Sequence, residues 1–304
     1  MDQAHTFTRR ADAALRRDPN VLGPTPGRLY RRLRQLDSHA VASRWVAEPV
    51  DAEQSNAAHA PVLPTGLMVL YQIVGPGTRA IPGQFEAITE HLRGLQHAHL
   101  LPIVDAWTDQ RTGCFLVSPY AGIGEGLLTL DVLLRLKPDG RLAPVETRHM
   151  LAQMLAAMAH AHERGVSHGP VRYDEVIVDF KGSLKLELFG VKRSLEAPRP
   201  PTDAEIALEV RSVVELAFQA VTGSRPSDGL RPAVRRMSKP DRALSDWLER
   251  GLHPQAGFDT AIQALRALPK AGADWREPKG SSATESLGAK LESTPLGLLA
   301  RLVS

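Results

Sequence analysis

The period of the hydrophobic pattern changes once along this chain, and that change limits the fold more than any single motif. Up to about residue 120, apolar residues fall in short runs bounded by turn residues, as in Met68-Val-Leu-Tyr-Gln-Ile-Val74, the pattern of buried strands. Strands are predicted over two stretches between Leu29 and Ala47 joined by Asp37-Ser38-His39, and over 68–74, 103–108 and 114–118. One helix interrupts them: 85–96 sets Phe85, Ile88, Leu92 and Leu95 on one face. From Thr129 onward the period is helical. The stretch 145–164 carries Met150, Leu151, Met154, Leu155, Met158 and Ala161, and its methionines read as core filler. Further helices are expected over 204–221, 243–251 and 258–268. A hairpin is expected over 176–179 and 184–188, turning at Lys181-Gly182-Ser183. The chain reads as α+β and two-lobed, a small β-rich lobe with one helix followed by a larger helical lobe.

Composition removes several classes. With 304 residues, 43% of them hydrophobic, the chain can build a sizeable core. A single cysteine, Cys114, excludes an intramolecular disulfide framework and multi-cysteine zinc modules, and its apolar neighbours mark a buried thiol. No run approaches the roughly 18 apolar residues of a transmembrane helix. The start, Met1-Asp2-Gln3-Ala4-His5, lacks a signal peptide's apolar core, so a cytoplasmic protein is expected. The histidines at 91, 97 and 99 and at 160, 162 and 168 raise metal binding, but helix positions two apart diverge, so structural roles are expected and no metal. Gly122-Ile-Gly124-Glu-Gly126 opens no helix after a first strand and reads as a linker.

The two ends differ from the middle. Eight arginines stand in the first 34 residues (9, 10, 16, 17, 28, 31, 32 and 34). Residues 1–26 read as a flexible basic arm. Contact with nucleic acid or anionic lipid through Arg9, Arg10, Arg16 and Arg17 is the alternative, although aromatic residues for base stacking are nearly absent. Residues 269–304 read as a mobile tail closed by a short helix over 296–303.

The stretch 150–193 carries the most specific pattern. It contains a helix ending His162-Glu-Arg-Gly165-Val-Ser-His168, then a hairpin and Leu188-Phe189-Gly190. This resembles a protein kinase domain of the bacterial serine/threonine type, in which such a helix leads to the catalytic loop and such a hairpin to Asp-Phe-Gly. The resemblance runs from about Gly27 to Leu268, with a first lobe over 27–121 and a second over 122–268. Phe85 to Leu101 is similar to the regulatory helix and following strand. Leu116-Val-Ser-Pro-Tyr-Ala-Gly122 is similar to the adenine-holding hinge, and Glu209 to Pro226 to the long central helix of the large lobe.

The resemblance implies a set of charged groups for phosphoryl transfer, and this sequence departs from it at each one. The glycine-rich loop corresponds to residues 37–43, which hold no glycine. The strand lysine falls on Tyr71 and its helix glutamate partner on Ile88. His168-Gly169-Pro170 stands for His-Arg-Asp, so Pro170 replaces the catalytic aspartate. Glu175 takes the metal-binding asparagine position, and Leu188 that of the Asp-Phe-Gly aspartate. At the hinge, Ser118 falls on the gatekeeper position, with the Pro119 carbonyl and the Ala121 N–H facing adenine. The expectation is a pseudokinase: no enzyme, ATP weakly bound or not at all, no magnesium, and a signalling role as scaffold or allosteric regulator through a protein partner. The alternative is an atypical nucleotide-binding enzyme with altered phosphotransfer, using Glu175, Asp174 or Glu187.

Overall fold

A computed structural model of the protein describes residues 18–25, 28–36, 39, 41–50, 66–73, 83–109, 111–122, 126–137, 139–179, 181–228 and 241–269. These fall into two compact units. The first takes residues up to Gln96 with Pro102–Tyr120 and Ser194–Pro198; the second takes His97–Leu101, Ala121–Arg193 and the chain from Arg199.

The first unit is an antiparallel sheet of β1 (Val21–Thr25), β2 (Arg28–Gln35), β3 (Ala42–Val50), β4 (Met68–Ile73), β5 (Asp105–Asp109) and β6 (Gly113–Pro119), in the order β1-β2-β3-β4-β6-β5. β4, a nearly continuous buried run of Val, Leu, Tyr and Ile, occupies the middle, where β-branched and aromatic residues pack best. One sheet face is built on Tyr30, Trp107 and Phe115, with ring centroids 6.0 and 5.1 Å apart, packed with Met68, Leu70 and Val117.

β1 corrects the expected flexible arm over 1–26, of which 18–25 is described. Pro24 is tolerated because β1 is an edge strand with a register shift between Leu22 and Thr25. Gly23 is required there, since a Cβ would lie 2.0 Å from the Arg28 carbonyl oxygen. The sheet curls until β1 packs beside β5. Across that approach the buried Asp105 carboxylate meets Arg28 Nε and Arg93 Nη2, each at 3.3 Å, and accepts a hydrogen bond from the Tyr30 hydroxyl at 3.2 Å. Burial, reinforced by the Asp105 charge, pushes the Tyr30 hydroxyl pKa above its ordinary value.

Arg93 belongs to α1 (Gln84–Arg93), shorter than expected because Gly94 ends it. Its first turn is tied by a hydrogen bond from the Gly83 N–H to Glu86 Oε2, 2.8 Å. Phe85, Thr89 and Leu92 are buried.

The second unit contains α2 (Leu130–Leu136), α3 (Pro144–His162), the hairpin β7 (Val176–Val178) and β8 (Leu184–Leu186), α5 (Asp203–Thr222), α6 (Arg242–Leu252) and α7 (Ala261–Ala267). A six-residue helix, α4 (Val191–Glu196), follows the hairpin and was not expected from the sequence. α3 packs on α5 and α7. Met150, Met154 and Met158 are buried core residues, as the periodicity predicts. α5 opens on a capping box, Glu205 N–H to Thr202 Oγ1 at 3.3 Å and Thr202 N–H to Glu205 Oε2 at 2.8 Å. The same Glu205 is clasped by Arg193 and Arg199 at 3.1 and 2.9 Å. Those bonds hold its carboxyl far below the usual range, the Arg199 bonds contributing most.

The strap His97–Leu101 docks on β8 through Leu101 N–H to Leu186 O, 3.0 Å, and Leu186 N–H to His99 O, 2.9 Å. Its His97 ring lies 5.5 Å from that of His99 and 5.1 Å from that of His160. No helix among the described residues is long and apolar enough to cross a membrane. Arg9, Arg10, Arg16 and Arg17, the expected tail helix over 296–303, and Asp37 and Ser38 lie outside the described residues.

Candidate functional site

In the first unit the candidate positions lie on one face of the sheet. Directly paired residues of neighbouring strands project to the same face, so the register defines rungs. Ala42, Ile73 and Cys114 form one rung; Arg44, Tyr71 and Leu116 the next; Val46, Val69 and Ser118 the third. Tyr71 is fully buried at the centre of the middle rung, and Ser118 is buried one rung away. Pro119 ends β6 opposite Met68, and the Tyr120 N–H donates to Leu67 O at 3.0 Å. Ala121 is the next residue in the chain. Of the loop before β3, His39 is described: its N–H donates to Ala42 O at 3.1 Å, and Val41 N–H to its Nδ1 at 3.3 Å.

Ile88 lies half-buried in the middle of α1. The glutamates on either side are engaged locally. Glu86 holds the Gly83 N–H, and although burial raises its pKa, hydrogen bonds from Thr108 and Gly83 leave it lowered. Glu90 pairs with Arg93 at 3.0 Å.

In the second unit the loop after α3 is organised from α5. Glu209, fully buried, accepts the His168 N–H at 2.9 Å and the Gly169 N–H at 3.1 Å on Oε2, and its Oε1 lies 3.2 Å from His162 Nε2. Gly169 has a φ of 87°, which lets the loop turn back toward α5. Ser212 Oγ takes the Val171 N–H at 2.9 Å, and the Tyr173 hydroxyl donates to Leu216 O at 2.8 Å. Burial raises the Tyr173 pKa.

Pro170 is exposed, while Glu175 is buried with its Oε2 accepting the Arg172 N–H at 2.8 Å. Arg172 also grips Asp174 through two bonds of 2.9 and 2.7 Å. The hairpin joins this stretch: the N–H of the fully buried Glu187 donates to Glu175 O at 2.9 Å. Leu188 follows with a left-handed φ of 48°, a conformation that costs a non-glycine residue about 1–2 kcal/mol. Phe189 sets its ring 5.2 Å from that of His168, the two planes tilted by 56°.

Two buried charged residues beside these positions escaped the sequence reading, Glu209 and Arg44. Each left the same signal, a charge inside an apolar periodicity: Glu209 among Val210, Val213 and Val214 on α5, and Arg44 between Ala42 and Val46 on β3.

No protein-family model matches the chain. Among curated proteins it is similar to the putative cyclin-dependent kinase F-2 of Oryza sativa subsp. japonica. The two are 31% identical over 141 residues, covering 44% of this chain and 40% of that protein. CBL-interacting protein kinase 22 of the same plant is 30% identical over 111 residues, 36% of this chain and 23% of that protein. The serine/threonine-protein kinase stk11 homolog of Dictyostelium discoideum is 25% identical over 117 residues, 37% and 19%. The chain thus spans two fifths or less of the length of these relatives. The kinase domain of PknI from Mycobacterium tuberculosis matches the fold with a TM-score of 0.57 at 18% identity, over 79% of this chain and 94% of that one. The protein has a protein kinase-like fold, with a β-sheet N-lobe and a helical C-lobe.

These findings correct two expectations. Curated relatives and structural neighbours alike are named as kinases, and kinases transfer a phosphoryl group from ATP with magnesium. The expectation of a chain that is no enzyme, and the expectation of neither ATP nor magnesium, are overturned on that ground. The residues themselves fit the two groups differently. The sheet face carrying Val69 and Ser118 offers an apolar surface and also one cation, Arg44, so a nucleotide fits it. For magnesium, Leu188 offers hydrocarbon and Glu175 already accepts a backbone hydrogen bond, so these positions do not fit the ion in the kinase manner, and no step through it is derived. Among the described residues no group of three or more His, Cys, Asp and Glu is placed to hold a metal.

Proposed function

We propose that this chain is an atypical, adenine nucleotide-binding protein kinase-like domain of the bacterial serine/threonine type, acting in signalling through contacts with a protein partner as scaffold or allosteric regulator. The observation that carries the reading is the contrast between a retained framework among the described residues and an altered set of charged positions. The catalytic-loop backbone is held by a buried carboxylate, and the gatekeeper rung Val46–Val69–Ser118 is intact. We assign Tyr71 to the strand-lysine position, Ile88 to the helix-glutamate position, and Pro170, Glu175 and Leu188 to the catalytic and metal-binding positions. The Pro119 carbonyl and Ala121 N–H are assigned to the adenine edge. Phosphotransfer by such a site proceeds, in this reading, with altered chemistry, for which Asp174 and Glu175 are the first carboxylates after the catalytic loop in sequence. A protein partner accords with the name of one relative, a CBL-interacting protein kinase.

Thermal unfolding of the purified chain with millimolar adenosine, ADP and ATP tests the nucleotide part. A ligand at one hundred times its Kd adds about 2.7 kcal/mol to stability. Absence of any shift with all three ligands sinks the reading. Phosphotransfer to a generic protein acceptor, compared between the natural chain and Glu175→Ala, tests the chemistry.

A further inference from the structure

We propose that Arg44, on the strand next to the one that carries a kinase's phosphate-binding lysine, supplies the cation for the nucleotide phosphates; this rests on the nucleotide-binding reading above. The lysine position is Tyr71, buried in the middle of β4. Arg44 is its Cα partner on β3, so both side chains leave the sheet on the same face, in the same rung. The displacement is sideways by one strand, about 4.8 Å, well inside the span of an arginine side chain. Along the strand there is no displacement: Arg44 stands one rung from Ser118, as Tyr71 does, because Val46 and Val69 intervene identically on the two strands. A phosphate placed by an adenine lying along Val69 and Ser118 therefore meets its cation at the same height on the sheet.

The surroundings sharpen the assignment. The same-face positions of the three rungs are Ala42, Val46, Val69, Ile73, Cys114, Leu116 and Ser118 beside Arg44 and Tyr71, so Arg44 is their one cation. Its residue exposure is 3%. The planar guanidinium engages a phosphate through two parallel N–H donors, which a lysine cannot do. Arg44 is thus placed as a determinant of preference for phosphorylated over unphosphorylated nucleoside.

The test is a ladder of adenosine, AMP, ADP and ATP titrated calorimetrically into the full chain without magnesium. Affinity is expected to climb along the ladder, with ATP bound tenfold or more above adenosine, the size of charged hydrogen bonds to phosphate. Arg44→Met is expected to flatten the ladder while leaving adenosine affinity within about twofold. Arg44→Met with Tyr71→Lys is expected to restore the climb. A flat ladder in the natural protein, with adenosine bound, overturns the assignment of Arg44 and leaves the nucleotide reading standing. An unchanged climb in Arg44→Met does the same. No binding of any ligand to the natural protein overturns both. If Arg44→Met does not fold, the natural protein's ladder and that of Arg44→Lys, expected to keep its climb, decide the matter.

Discussion

Replacing Glu209 by alanine removes a group that meets three residues at the end of α3 and in the loop after it. The carboxylate is fully buried and accepts two backbone N–H groups, from His168 and Gly169, while facing His162 Nε2. Each backbone N–H left without a partner in the interior costs about 1–3 kcal/mol, and hydrogen bonds to a charged acceptor stand at the upper end of the range. Allowing for partial relaxation, Glu209→Ala is expected to destabilise the protein by about 3–5 kcal/mol, the scale seen when one partner of a buried charged network is removed. At about 2–4 °C per kcal/mol for a domain of 150–250 residues, Tm falls by about 6–20 °C. Glu209→Gln is the control. Both backbone bonds end on Oε2, so an amide oriented with its oxygen there keeps them and presents its NH2 to His162. Its cost is expected near 1 kcal/mol. Urea unfolding gives the energies, and amide hydrogen exchange at residues 168 and 169 reads the local effect. A Glu209→Ala variant within 1 kcal/mol of the natural protein, with the two amides still protected, would falsify the view that α5 organises this loop.

Other expectations concern different parts of the fold. Asp105→Ala leaves Arg28 and Arg93 facing each other beside the Tyr30 hydroxyl, and is expected to cost about 3–5 kcal/mol by denaturant unfolding, whereas Tyr30→Phe costs about 1 kcal/mol. Gly23→Ala drives a methyl into the Arg28 carbonyl, so exchange protection over Val21–Thr25 is expected to vanish with the rest of the sheet unchanged; retained protection refutes the close approach. Burial, then neighbouring His99, His160 and Lys185, lowers the His97 pKa. Burial also lowers that of His99, against the Leu184 carbonyl. The unfolded chain then takes up these protons first, so their contribution is complete above the ordinary value of 6.5 and is lost as pH falls through the folded values. His97→Gln with His99→Gln is expected to flatten the fall in stability between about pH 7 and pH 5, and an unaltered slope contradicts the assignment.

Much of this architecture is legible in the sequence because burial follows period. The β4 run, the apolar stripe of α3 and the hairpin around Gly182 are each specified by residues close in the chain. β1 was missed because Gly23-Pro24 reads as a breaker, and it is one in a central strand; at a bulged edge both residues are accommodated. α4 was missed because six residues containing Lys192, Arg193 and Ser194 show no period. Glu209 and Asp105 depend on partners 41 and 75 residues away, which no local pattern announces. The same limit misled the reading of chemistry. Position-by-position comparison reports that Tyr71 is not a lysine, and does not report that Arg44 is its partner on the neighbouring strand. The expectation of no enzyme, with ATP weakly bound or not at all, was drawn from departures at Tyr71, Ile88, Pro170, Glu175 and Leu188 together, and gave way to relatives that are named as kinases.

The chain between Leu188-Phe189-Gly190 and α5 is short, residues 191–202, and half of it is the helix α4. The remainder, Ala197-Pro-Arg-Pro-Pro-Thr202, spans about 20 Å when fully extended, and its three prolines remove much of its freedom. Arg193 before it and Arg199 within it are both fastened to Glu205. A segment this short, rich in proline and fastened at two points has few conformations open to it.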